Sequence, residues 1–86
     1  MDCDLDNLAA KLNESISAGS PEEIQARLTE LVFGAVVASV AYWGVWNEER
    51  RAEVTRLVQD AREALKGSPY EHHAGMQMER IPLVSP

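Results

Sequence analysis

Hydrophobic residues recur every three or four positions in three parts of the chain, which is the spacing of one face of an α-helix. The first stripe runs from Leu5 to Ile16 and predicts a short helix. This helix is expected to end at Gly19, because glycine readily adopts the left-handed conformation that closes a helix. The last stripe runs from Val54 to Leu65 and predicts a third helix that closes before residue 67.

The middle stripe opens with the sequence GSPEEIQ, which is typical of a helix start. Ser20 is suited to cap exposed amides, Pro21 suits the first helical position, and Glu23 occupies the capping-box position. A second helix is therefore expected to begin at Pro21. Asn47, followed by two glutamates, is a further N-cap candidate, so we expect a break between the second and third helices there.

The second helix leads into LVFGAVVASVAYWGVW, residues 31–46, a run without a charge in a chain that is 26% charged. Ile24, Leu28 and Leu31 lie on one predicted face of this helix, and the opposite face is polar up to Glu30. Beyond that residue the opposite face is apolar as well. A helix that is apolar all round must be covered on every side, by its own chain, another subunit or lipid.

Helices one and three each offer a single narrow apolar stripe, so part of helix two is predicted to contact another molecule. Gly34, Ala38 and Ala41 form a seam of small residues that would let a second backbone approach closely. Close packing within one chain explains the seam equally well.

Three aromatic residues follow the seam, and such residues serve either as a core cluster or as anchors in a partner's pocket. In both cases their substitution is expected to be harmful. The predicted partner or dimer interface comprises Phe33, Gly34, Val37, Ala38, Val40, Ala41, Tyr42, Trp43 and Trp46.

These patterns predict an all-α fold, with a short N-terminal helix and two longer helices packed as a bundle that homodimerisation completes. The helical domain is expected over residues 1–67. Residues 68–86 contain three prolines and no periodicity, so they predict an irregular C-terminal tail, within which residues 81–84 (IPLV) are apolar enough to dock in a groove.

The charge distribution excludes some classes of function. The net charge is −6, and residues 1–30 carry seven acidic side chains against Lys11 and Arg27. No basic stripe is present to neutralise phosphates, so nucleic-acid binding is not expected. Cys3 is the single cysteine, and the acidic start lacks the apolar core of a secretory signal, so we expect a cytoplasmic protein.

Candidate chemistry is sparse. The two histidines, His72 and His73, fall in the predicted tail, where solvated side chains are the expected state. Together with Glu71 and nearby methionines they offer only a weak, unscaffolded metal chelator. No phosphate-binding loop or dinucleotide motif occurs, so we expect no catalytic site, no bound metal and no cofactor.

The sequence therefore favours a small acidic helical protein, without catalytic activity, that binds and regulates a larger protein as an inhibitor or antiactivator does. One alternative is a single-span membrane protein anchored by residues 31–46. A helix of that length reaches only about 24 Å, short of a hydrocarbon core of about 30 Å. A structural homo-oligomer is the other alternative.

Overall fold

The residues that the structure describes fold as four packed α-helices. The computed structural model describes residues 4–41 and 44–84, and no strand occurs in these two ranges. The helices are α1 (Leu5–Ala18), α2 (Pro21–Ala41), α3 (Glu48–Ala64) and α4 (Glu71–Glu79). The predicted all-α class is confirmed, and so is the separation of α2 from α3.

Local capping explains where these helices begin and end. The Asp4 side chain accepts a hydrogen bond from the Asn7 amide at 3.0 Å and caps α1. Gly19 ends α1 in the left-handed conformation with φ of 76°, as its position predicted. The Asn47 side chain accepts from the Arg50 amide at 2.8 Å, which confirms the predicted N-cap of α3.

The core lies between α2 and α3, each of which contacts the other three helices. Among the described residues, α1 and α4 make no contact with each other and pack at different places on the central pair. The Cα radius of gyration is 12.3 Å, close to the value of about 12 Å expected for one domain of this length. The largest fully buried side chains are Leu12, Ile24, Leu28, Leu31, Val32, Val58 and Leu65.

The prediction of an irregular tail over residues 68–86 was wrong, because Glu71–Glu79 forms α4. This helix buries only Ala74 and Gln77, so it has no hydrophobic stripe that periodicity can detect. Tertiary contacts with α2 and α3 stabilise it instead.

A local signal for α4 is nevertheless present in the sequence. Ser68-Pro69-Tyr70-Glu71 repeats the pattern of serine, proline and a glutamate three residues after the serine that starts α2. In the structure the Ser68 hydroxyl accepts from the Tyr70 amide at 3.2 Å and donates to the Leu65 carbonyl at 2.6 Å. Ser68 therefore stabilises the turn before α4 and does not cap the helix, which begins at Glu71 with Tyr70 at the N-cap and no side-chain cap hydrogen bond.

The segment after α4 returns to the core and covers Trp46. Ile81 is buried, and the Pro82 carbonyl accepts hydrogen bonds from Trp46 Nε1 and Arg51 Nε, each at 3.1 Å. Trp46 is only 8% exposed. The apolar IPLV segment therefore docks within its own chain through Ile81 and Pro82, while Leu83 remains exposed.

Substitution of Trp46 tests this closure. We expect Trp46→Ala to lower the free energy of unfolding by about 3–5 kcal/mol, because it removes a large buried side chain. Trp46→Phe keeps an aromatic ring but removes the hydrogen bond to the Pro82 carbonyl. We expect the loss of this bond to lower the free energy of unfolding by about 1 kcal/mol, in addition to the effect of altered packing. Urea unfolding followed by circular dichroism measures both, with the exposed Leu83→Ala as control. An unchanged midpoint for Trp46→Ala would contradict a core role.

Candidate functional site

An apolar stripe on the C-terminal half of α2 is exposed to solvent. Phe33, Val36 and Val40 are 69%, 37% and 75% exposed. Val37 is half-buried and Ala41 is exposed. These five residues, called the apolar stripe below, follow the helical spacing of a single face.

The apolar stripe lies opposite the core. At 100° per residue, its centre is half a turn of the helix away from the buried face formed around Leu31 and Ala35. The helix that was predicted to be apolar all round is therefore covered on one side only. Exposed apolar patches of this kind mark interaction surfaces in soluble proteins.

The small-residue seam is covered within the chain at Gly34 and Ala38, whereas Ala41 is exposed. Gly34 and Ala38 are buried, and a Cβ atom added at Gly34 would lie 2.6 Å from Leu8 Cδ1 and 3.4 Å from Leu5 Cδ2. The missing side chain of Gly34 thus allows α1 to approach α2 closely. Neither residue offers a surface to a second molecule, and the part of the predicted interface left exposed is Phe33, Val40 and Ala41, with Val37 half-buried.

The structure describes one of the three aromatic candidates for the interface. Trp46 belongs to the core, as described above, and Tyr42 and Trp43 lie outside the described residues. Sequence reasoning also missed Val36. It is absent from the predicted interface, whereas the structure exposes more than a third of its surface.

The N-terminal half of α2 is acidic on the side that continues the apolar stripe. Glu22, Glu23 and Glu30 form this acidic end, and all three are exposed. The Arg27 guanidinium lies 3.1 Å from Glu23 Oε1 and 3.0 Å from Glu30 Oε2. Hydrogen bonding to Glu30 is the main cause of a raised pKa of Arg27. Three carboxylates against one guanidinium leave this end of α2 negative.

The histidines differ in their surroundings. His72 is exposed, as expected, but His73 is half-buried and its Nε2 lies 3.1 Å from both Thr29 Oγ1 and Gln77 Nε2. His73 therefore joins α4 to α2 through a polar contact and is not a solvated tail residue. Within residues 4–41 and 44–84, no group of three or more His, Cys, Asp or Glu side chains is placed to hold a metal ion.

A groove of about 400 Å³ runs between α1 and α3. Its lining combines apolar side chains such as Leu5, Ala9 and Leu57 with charged ones such as Arg56 and Asp60. Among the residues that the structure describes, no serine, cysteine or histidine lines this groove.

By length and composition alone, α2 is long and apolar enough to cross a membrane, with a mean hydropathy of 1.4 over an 18-residue window. The core helix of a soluble protein passes the same test, and 39% of that window is buried in the fold. The uncharged part of α2 runs only from Leu31 to Ala41, about 16 Å of helix.

No family model, curated protein or solved structure matches the chain. The geometry of the surface therefore carries the functional argument.

Gly34→Leu tests whether the seam faces α1. We expect it to lower the free energy of unfolding by about 1–3 kcal/mol, because the new side chain forces α1 away from α2. Ala26→Leu, an exposed site on the same helix, is the matched control and is expected to change stability by less than about 0.5 kcal/mol. Wild-type stability of Gly34→Leu together with an altered mass by light scattering would place the seam against another chain.

Proposed function

We propose that this protein is a non-enzymatic, cytoplasmic regulator that binds a larger protein through the apolar stripe on α2. The observation that carries the proposal is the exposure of Phe33, Val36 and Val40 on one face of a helix whose other face is buried. A protein of this size gains stability by burying such side chains, and their exposure here leaves them for a partner.

The proposed mechanism is occlusion. An apolar helical stripe binds in a hydrophobic groove or against another amphipathic helix, and the bound surface is then closed to the partner's own ligands or subunits. From Phe33 to Val40 the stripe extends about 11 Å along the helix. A stripe of this length can form the centre of an interface. A standard interface buries about 800 Å² per partner, so residues that flank the stripe would also have to contact the partner.

The membrane alternative is less favoured for two physical reasons. A span of about 20 residues drawn from α2 alone would have to include its acidic end, with Glu22, Glu23, Arg27 and Glu30, in the bilayer or at its surface, and the uncharged run of residues 31–46 is shorter than such a span. It would also have to detach the buried face of α2 from α1, α3 and α4. Recovery of the protein only from the membrane fraction would favour the anchor over the proposed regulator.

Homodimerisation through the apolar stripe stays a prediction. If it occurs, it would favour the alternative function, in which the protein is a structural homo-oligomer. Because Gly34 and Ala38 are buried, such a dimer would have to use the apolar stripe and not the small-residue seam. Light scattering at micromolar concentration distinguishes a monomer from a dimer, since a dimer would give twice the mass of one chain.

Val40→Glu tests the proposed partner interface. Val40 is 75% exposed, so we expect the free energy of unfolding to change by less than about 0.5 kcal/mol. In the complex, the carboxylate that the substitution introduces would be buried at the interface. We expect it to weaken partner binding roughly thirtyfold, as loss of an interface hot spot does. The measurement is recovery of the partner with tagged protein from the native host, followed by titration of the purified pair.

Leu83→Glu is the matched control, because Leu83 is 79% exposed and lies in the C-terminal segment outside the apolar stripe. It introduces the same charge and is expected to leave partner binding unchanged. Equal retention of the partner by both variants would contradict the proposed interface.

A further inference from the structure

The surface of α2 that faces away from the core is polarised along the helix axis. Glu22, Ala26 and Glu30 continue the line of the apolar stripe towards the N-terminus of α2, at helical spacing. The stripe itself, from Phe33 to Ala41, carries no charge. A molecule lying along α2 therefore meets carboxylates at one end and only apolar side chains at the other.

The carboxylates at this end are incompletely neutralised. Arg27 binds Glu23 and Glu30, and its side chain is 31% exposed, so its charge is directed to these two neighbours. The Glu22 carboxylate makes no hydrogen bond or ion pair with any residue in the described ranges. A cationic side chain of another molecule would neutralise part of the remaining negative charge.

We propose that the apolar stripe binds an amphipathic helix of a partner protein that is apolar over about two turns and carries lysine or arginine at one end. This inference rests on the function proposed above and adds the chemistry of the partner. Cations are favoured at the C-terminal end of a helix. The basic end therefore lies over the acidic end of α2, and the partner helix runs antiparallel to α2.

Charge disfavours a second copy of the chain and an anionic membrane as occupants of this surface. In a parallel pair of α2 helices the two acidic ends repel each other. In an antiparallel pair each acidic end meets the uncharged end of the partner's stripe, so neither arrangement supplies a cation. An anionic membrane surface is opposed by the same carboxylates. A basic protein segment satisfies the carboxylates and the apolar stripe together.

The test uses two synthetic helical peptides of about five turns that share one leucine stripe at helical spacing. One peptide carries three arginines in its last turn, and the other carries three glutamates there. Binding to the full-length protein is measured by fluorescence anisotropy at low and high salt. We expect the basic peptide to bind about tenfold more tightly at low salt, as two exposed ion pairs allow, and the preference to shrink at high salt.

Variants of the protein identify the source of the preference. Val40→Glu is expected to abolish binding of both peptides. The double variant E22K/E30Q is expected to erase the preference for the basic peptide, whereas Glu79→Lys, a charge reversal at an exposed site on α4, is expected to retain it. Circular dichroism and urea midpoints verify that each variant remains folded.

The remaining outcomes separate the two proposals. Equal binding of both peptides that Val40→Glu abolishes would overturn the basic-partner inference and leave the proposed function standing. Binding of neither peptide above the Val40→Glu level would overturn both. A wild-type dimer that Val40→Glu dissociates, or Val40-dependent binding to vesicles of phosphatidylcholine and phosphatidylglycerol, would assign the stripe to a second copy or to a lipid surface and overturn the inference.

Discussion

The structure depends on the packing of one side of α2 against the rest of the chain. This helix is apolar on nearly every face beyond Glu30, and water penalises each uncovered face. Leu28, Leu31 and Ala35 are fully buried, and α1, α3 and α4 all contact the helix that carries them. Three surrounding helices of one short chain cover the core side of α2 and leave the opposite side, the apolar stripe, in solvent.

Two details determine which side of α2 is covered. The absence of a side chain at Gly34 lets the leucines of α1 lie close to the α2 backbone, so α1 occupies the seam that a second protein would otherwise use. At the other end, the C-terminal segment covers Trp46 and binds it through the Pro82 carbonyl. Both contacts direct the small residues and the tryptophan inwards. The side of α2 that remains in solvent is a stripe of phenylalanine and valine with a negative charge at one end, which is suited to recognition by a partner.

Periodicity and capping predicted most of the fold, because these signals are local. The stripes of α1 and α3, the left-handed Gly19 and the Asn47 cap all appear where the residues indicate. The fourth helix was missed because it buries only Ala74 and Gln77 and has no side-chain cap at its N-terminus. The candidate surface was harder to predict, since periodicity assigns a residue to a face but not to a neighbour. The burial of Gly34 and Ala38 and the exposure of Val36 follow from where α1 lies, which is a property of the tertiary structure.

Binding of another protein to the apolar stripe is best measured by photo-crosslinking in the native host. A photoreactive phenylalanine analogue replaces Phe33, which is 69% exposed, and a separate variant carries the analogue at Leu83 as the control. We expect one discrete protein adduct from position 33 that is absent from position 83. An adduct containing only a second copy of this chain, or none beyond that of the control, would contradict this expectation.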